Sequence, residues 1–86
     1  MTFAVDLEPH AGHTLERAPP QDYRRLLAKL ESLGRDPFPH DVKRVEGSSR
    51  KLFRVRVGHY RILYEVRFST RQVVVVLIER RAHVYD

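Results

Sequence analysis

The chain has 86 residues, no cysteine, and 16 basic against 11 acidic side chains, which gives a formal net charge of +5. We expect one domain over residues 1–86, because this length supports a single small core. The absence of cysteine excludes a disulfide framework and a thiolate metal site. His10 and His13 have a spacing that suits a metal pair but lack further ligands, so no metal site is predicted. No secretory signal pattern opens the chain and no apolar run could span a bilayer, so we expect a cytoplasmic protein without a membrane partner.

Charge is distributed unevenly along the sequence. Residues 1–42 carry five basic and seven acidic side chains, whereas residues 43–86 carry eleven basic and four acidic ones. A positive half of this kind favours a polyanionic partner, most simply nucleic acid. A membrane surface or an acidic protein would satisfy the same electrostatics.

The first half of the sequence predicts a strand followed by two helices. Apolar and polar residues alternate from Thr2 to Glu8, which predicts a strand, and Pro9–Arg17 is short and weakly helical. After Pro19-Pro20, apolar side chains recur at helical spacing over Gln21–Leu33, and Gly34 is placed to end this second helix. We interpret the apolar stripe of this helix as core-facing rather than as a groove for a partner. The stripe consists of Tyr23, Leu26, Leu27, Leu30 and Leu33.

The second half predicts loops and strands. Two prolines make Gly34–His40 an ordered loop, and Asp41–Val45 is expected to be a short extended piece. Gln72–Arg80 contains six consecutive apolar residues, which is typical of a central strand buried on both faces. The predicted fold is α+β, with two N-terminal helices packed on one face of a three- to four-stranded, mainly antiparallel sheet.

The other strands of this sheet come from a predicted β-hairpin between Lys51 and Val66. Apolar and polar residues alternate on both sides of Gly58-His59, and a glycine in such a turn is expected to adopt a positive φ. The alternation places the apolar side chains on the core face and the charged ones on the opposite face. The charged residues are Arg54, Arg56, Arg61, Glu65 and Arg67.

Three arginines of the hairpin therefore share one small sheet face. Their guanidinium groups repel each other, whereas an anion would favour the cluster, and the planar fork of arginine suits phosphate oxygens. We interpret this face as an anion-binding surface. An ordinary solvated face of an antiparallel sheet stays open as the alternative.

Two motifs connect this order of elements with a known family. The first is Arg-x-Arg-x-Gly-x-Tyr-Arg-x-x-Tyr from Arg54 to Tyr64, and the second is Arg-x-x-Val-Tyr from Arg81 to Tyr85. Over essentially its whole length the chain resembles the RelE/ParE toxin superfamily, and its terminal tyrosine resembles the RelE branch. The resemblance implies a toxin that binds the ribosome and cuts mRNA in the A site without metal or cofactor. It also implies a cognate antitoxin that holds the toxin inactive.

The same resemblance implies roles for five arginines. Arg54 and Arg56 match paired basic residues that bind RNA, and Arg61 matches a catalytic arginine. Arg81 matches the C-terminal catalytic arginine, with Arg80 as its rival and as a further RNA-binding residue. In metal-free RNA cleavage such cations would stabilise charge on the phosphate, since arginine is a poor proton donor.

Tyr85 matches the terminal tyrosine that the resemblance implies as general base. Its ordinary pKa is near ~10, so this role requires nearby cations that stabilise the phenolate. From the residues alone, a frayed or core-anchoring tyrosine near the terminus is the preferred interpretation. His83, Glu65 and Glu79 are alternative proton-transfer groups, although salt bridges to arginine are the preferred interpretation for the two carboxylates.

Three classes of function stay open at this point. The first is the ribosome-dependent endoribonuclease. The second is a ParE-like inhibitor that acts on DNA gyrase by binding, shares the hairpin motif and does not need Tyr85. The third is a catalytically inactive module that binds only its antitoxin or nucleic acid.

Overall fold

The computed structural model describes residues 2–80, which form two helices and five strands. In chain order these elements are β1 (Ala4–Leu7), α1 (Pro9–Arg17), α2 (Pro20–Arg35), β2 (Lys43–Arg44), β3 (Phe53–Val57), β4 (Tyr60–Arg67) and β5 (Gln72–Arg80). Each helix has proline in its first turn, where the missing N–H costs no hydrogen bond. Within this range no helix is long and apolar enough to cross a membrane.

The strands form one mixed sheet in the order β1-β5-β4-β3-β2. β2 to β5 pair antiparallel, whereas β1 runs parallel to β5 at one edge. The α+β fold with both helices on one face is confirmed, but the prediction of three to four strands was too low. The fifth strand is β2, whose two residues pair with Phe53 and Arg54 and are too short to show an alternating pattern.

The core lies between the helices and one face of the sheet. α1 packs on β5, while α2 contacts β1, β3 and β5. The hairpin register matches the prediction, since Val55 faces Ile62 across the pair and both are buried. The turn between the strands has a φ of 56° at Gly58, as predicted. The charged residues that alternate with these apolar ones consequently lie on the face away from the helices, which we call the outer face.

Gly34 does not end the second helix as predicted. It lies inside α2, which continues to Arg35 and is capped at Asp36, whose N–H donates to the carbonyl of Ser32. A Cβ on Gly34 would stand 2.9 Å from the carbonyl oxygen of Phe3 and 3.1 Å from Cγ2 of Val5. The glycine is thus required by close packing of the helix against the segment that contains β1.

The apolar stripe of α2 is only partly core. Leu26, Leu30 and Leu33 are buried, but Tyr23 and Leu27 are 38% and 36% exposed. The prediction that the whole stripe faces the core was wrong for these two positions. Helical periodicity defines a face of the helix, but the width of that face covered by the sheet depends on tertiary packing.

β5 is an interior strand between β1 and β4, but β4 occupies the middle of the sheet. Val73, Val74 and Val75 are buried, whereas Val76 and Leu77 are only half-buried. Burial on both faces therefore holds for the first half of the strand alone. The register shifts between Leu63 and Tyr64 of β4, so that Val76 has no partner in the β4–β5 register.

The predicted ordered loop between α2 and β2 is anchored on the core. The hydroxyl of Tyr64 donates a 2.7 Å hydrogen bond to the carbonyl of Pro37. Phe38 packs edge-on against Phe53, with ring centroids 5.1 Å apart. This anchoring fixes the start of β2 relative to the hairpin.

Candidate nucleic-acid interface

The sheet register brings the three hairpin arginines together on the outer face. Arg56 and Arg61 are direct cross-strand partners, and Arg54 lies two residues before Arg56 on the same strand. Side chains directly opposite each other in an antiparallel pair share a face and are close enough to interact. Of the predicted RNA-binding and catalytic residues, the structure thus brings together Arg54, Arg56 and Arg61.

Arg61 is held by Glu79 of the neighbouring strand. Its Nη2 donates a 2.6 Å hydrogen bond to Oε1 of Glu79, and the two residues are partners in the β4–β5 register. The Arg61 Nε is buried, and no hydrogen-bond acceptor reaches it among the described residues. An unsatisfied buried donor costs about 1–3 kcal/mol.

Lys43 is a fourth cation on this face that the sequence reasoning did not single out. It is the cross-strand partner of Arg54, and its side chain is exposed. The sequence indicated only a short extended piece over Asp41–Val45, which contains Lys43. The pairing of β2 with β3, which places Lys43 beside Arg54, is not visible in the sequence.

Arg80 lies on the other side of the sheet. It is paired with Tyr60, a core residue, so its side chain starts from the helix face and not from the outer face. Its charge acts on the hydroxyl of Tyr60, whose pKa is nevertheless raised by burial and by Asp22. Arg81, His83 and Tyr85 lie outside the described residues, so the three remain sequence predictions.

The carboxylates of Glu65 and Glu79 are both ion-paired with arginines. Glu65 accepts hydrogen bonds from Arg50 at 3.1 Å and from Arg67 at 2.8 Å, and Arg50 also reaches Glu8 at 3.2 Å. The hydrogen bond from Arg50 lowers the pKa of Glu65 below its usual value. Together with the bond from Arg61 to Glu79, these contacts confirm the salt-bridge interpretation of both carboxylates.

A cavity of about 440 Å³ opens beside the arginines. It is lined by His40, Asp41, Val42, Lys43, Arg54 and Arg56. Asp41 is paired with Lys29 at 3.0 Å, and this contact lowers the pKa of the carboxyl group. The cavity therefore combines the cations of Lys43, Arg54 and Arg56 with the carboxylate of Asp41.

Among residues 2–80, no histidine belongs to the arginine cluster itself. His10 and His13 are exposed on α1, and His59 is exposed in the hairpin turn. Between residues 2 and 80 no group of three or more His, Cys, Asp or Glu side chains has the arrangement of a metal site.

Comparisons with known proteins agree on one family. The family model for the ParE toxin of the type II toxin–antitoxin system parDE matches residues 2–85. A protein of Methanocaldococcus jannaschii that carries the name toxin RelE1 is 31% identical over 88 residues, covering 99% of this chain and 97% of the relative.

Solved structures give the same result at the level of the fold. RelE in the archaeal RelE–RelB complex from Pyrococcus horikoshii OT3 superposes with a TM-score of 0.82 at 28% identity, covering 98% of this chain and 100% of the other. The isolated Escherichia coli RelE toxin gives a TM-score of 0.81 at 17% identity, covering 95% and 87% respectively, which shows the fold alone. The chain therefore belongs to the RelE/ParE toxin superfamily and is a RelE-like toxin of a type II toxin–antitoxin system.

Proposed function

We propose that this toxin is a ribosome-dependent endoribonuclease that cleaves mRNA in the A site. In this proposal the 2′-hydroxyl of the RNA attacks the adjacent phosphate, and the 5′-oxygen leaves. Arg61 and Arg81 stabilise the charge that develops on the phosphate, and Tyr85 accepts the proton of the attacking hydroxyl. Arg54 and Arg56 bind RNA on the outer face, and the chain acts without metal or cofactor.

The observation that carries the proposal is the position of Arg61, which is held by Glu79 and lies opposite Arg56. Its Nη2 is fixed by Glu79 while its buried Nε lacks an acceptor among residues 2–80. Arg56 stands directly across the strand pair from it. A phosphate between Arg56 and Arg61 would reduce the repulsion between the two guanidinium groups. Donors fixed in advance around developing charge are the usual means of stabilising such a transition state.

The partner of the toxin is proposed from the same charges and from the relatives. RelE of Pyrococcus horikoshii was solved in complex with RelB, and the Mycobacterium tuberculosis structure is the toxin–antitoxin complex RelBE2. For this chain we infer a cognate antitoxin with an acidic, partly disordered segment that folds on the basic surface. The ribosome and its mRNA are the proposed targets once the antitoxin is removed.

The proposal predicts the effect of two substitutions on mRNA in the cell. We expect induction of the wild-type chain in a bacterium to produce codon-phased 5′ ends on translated messages. Tyr85→Phe removes the proton acceptor and Arg61→Ala the phosphate donor, so both should reduce these cuts by at least ~100-fold, in the range of general acid–base and oxyanion contributions. The measurement is genome-wide mapping of 5′ ends.

The control is Arg24→Ala, which removes an exposed arginine of α2 and should leave the cuts intact. Undiminished cutting by Arg61→Ala would contradict the proposed role of this arginine. Absence of codon-phased cuts in wild-type cells that nevertheless stop growing would contradict the RNase activity itself.

A DNA gyrase inhibitor is the second candidate, because the family model that matches residues 2–85 is that of a ParE toxin. It predicts growth arrest with DNA damage, without codon-phased cuts, and with full toxicity of Tyr85→Phe. The absence of any growth phenotype would instead favour a module that only binds its antitoxin or nucleic acid.

A further inference from the structure

The cavity beside the outer-face arginines has no role in the cleavage chemistry proposed above. Its volume of about 440 Å³ falls within the range of small-ligand sites. One wall is the segment from His40 to Lys43, and the other consists of Arg54 and Arg56. The charges of these two walls determine which ligand the cavity would accept.

The loop wall of the cavity is fixed by contacts with the rest of the fold. Tyr64 donates to the carbonyl of Pro37, and the N–H of Val42 donates to the carbonyl of Pro39 at 3.0 Å. Lys29 of α2 donates to Oδ2 of Asp41 at 3.0 Å. Because the wall is tied to both the core and α2, the cavity is formed before any ligand binds, which lowers the entropic cost of binding.

The charges divide the cavity into two parts. Lys43 and Arg54 are cross-strand partners, so their side chains present two positive charges on one face. Asp41 is kept ionised by Lys29 and can only accept hydrogen bonds. A phosphate would be favoured beside Lys43 and Arg54 and repelled beside Asp41. The amino group of a nucleobase would be favoured beside Asp41.

The spacing of the cations suits consecutive phosphates. Lys43 and Arg54 form one cross-strand pair, and Arg56 and Arg61 form another. The two members on β3, Arg54 and Arg56, are two residues apart, or about 7 Å at the usual rise of a strand. This separation is similar to that of neighbouring phosphates in an extended RNA strand.

We propose that the cavity is a nucleotide subsite next to the scissile phosphate. Lys43 and Arg54 bind the phosphate adjacent to the one held by Arg56 and Arg61. The attached base enters against His40 and Val42 and donates an amino hydrogen to Asp41. This inference rests on the proposed function in taking RNA as the ligand.

The test for the phosphate part is the salt dependence of RNA binding. Uncleavable 2′-O-methyl decamers of A, C or U are titrated with the intact chain by fluorescence anisotropy between 50 and 200 mM salt. For Lys43→Ala we expect several-fold weaker binding to all three oligonucleotides. The slope of log K against log salt should fall in magnitude by about 0.7, the value for one lost phosphate contact on a single strand. Lys51→Ala, an exposed lysine outside the cavity lining, should leave the slope unchanged.

The test for the base part uses the same oligonucleotides. The wild-type chain is expected to bind A and C decamers more tightly than U, because of these three bases A and C carry an exocyclic amino group and U does not. Asp41→Ala should remove this preference while raising overall affinity. Glu31→Ala, which removes one negative charge from an exposed position of α2, should raise affinity without changing the preference.

Three outcomes would overturn the subsite. They are an identical slope for Lys43→Ala and Lys51→Ala, an unchanged base preference in Asp41→Ala, and no RNA binding by the wild-type chain. Any of these results together with codon-phased cuts in cells would leave the proposed RNase intact and reject the subsite alone. Binding that depends on Lys43 and Asp41, without cuts in cells, would support the subsite and reject the RNase.

Discussion

At the scale of single residues, the cations of the outer face differ in the carboxylates that they contact. Arg61 is tied to Glu79, and Arg50 is tied to both Glu8 and Glu65. Glu65 is 15% exposed and lies between two arginines. Its contacts link the loop before β3 to the middle of the sheet. Because these hydrogen bonds are charge-assisted, their strength depends on the protonation of the Glu65 carboxylate.

We expect the stability of the fold to depend on pH through Glu65. The Arg50 hydrogen bond makes the pKa of this carboxyl lower in the folded chain than in the unfolded one. The resulting stabilisation is therefore fully present above the unfolded-state pKa, about 4.3, and is lost as the pH falls through the folded-state pKa. Glu65→Gln should melt at a lower temperature than the wild type at pH 7, and the difference should shrink toward pH 3.

Thermal unfolding followed by circular dichroism from pH 3 to 7 measures this effect. Glu31→Gln, at an exposed position of α2, should track the wild type at every pH. A constant difference between Glu65→Gln and the wild type over the whole range would show that the loss is one of packing and not of charge.

At the scale of elements, the two helical glycines have opposite environments. Gly34 is buried in α2 against the backbone of Phe3, whereas a Cβ on Gly12 in α1 would have no atom within 4 Å. Alanine is favoured over glycine inside a helix by about 1 kcal/mol. Tertiary contact therefore decides whether replacing glycine by alanine stabilises or destabilises the protein in each helix.

We expect Gly34→Ala to destabilise the protein by about 1–3 kcal/mol, since the new methyl group overlaps a backbone oxygen that the sheet holds in place. Gly12→Ala should instead stabilise it by about 0.5–1 kcal/mol. Urea unfolding of both variants provides the measurement. Stabilisation by Gly34→Ala would mean that α2 can move away from β1 at little cost.

At the scale of the whole molecule, the distribution of charge matters more than the net value of +5. The positive half of the sequence forms β2 to β5, and three strands contribute cations to one face. Fields from clustered charges attract polyanions and raise association rates. Arg24 and Arg35 add to the net charge at exposed positions of α2, on the helix side of the sheet.

A polyanion column tests the effect of position at constant net charge. We expect the double substitution Arg54→Gln with Arg56→Gln to elute from heparin at clearly lower salt than the wild type, because two clustered contacts are lost. The control combines Arg24→Gln with Arg35→Gln, two exposed positions of α2 that remove the same charge. Equal elution of both variants would show that net charge alone determines binding.

The amino-acid sequence determined the local structure and the main sorting of side chains in this protein. Alternation fixed the faces of β3 and β4, helical spacing located α2, and glycine at the turn satisfied the positive φ of Gly58. Such patterns are readable because the repeats of strands and helices depend on neighbouring residues alone. The sequence also located Arg54, Arg56 and Arg61 on one face.

Only the tertiary structure decided which distant residues meet. The pairing of β2 with β3 placed Lys43 beside Arg54, and the register of β4 with β5 put Glu79 on Arg61 and Arg80 on the opposite side of the sheet. The same long-range packing exposed Tyr23 and made Gly34 a contact residue. These features depend on the order and register of strands that are far apart in the chain, and no local repeat of the sequence encodes either.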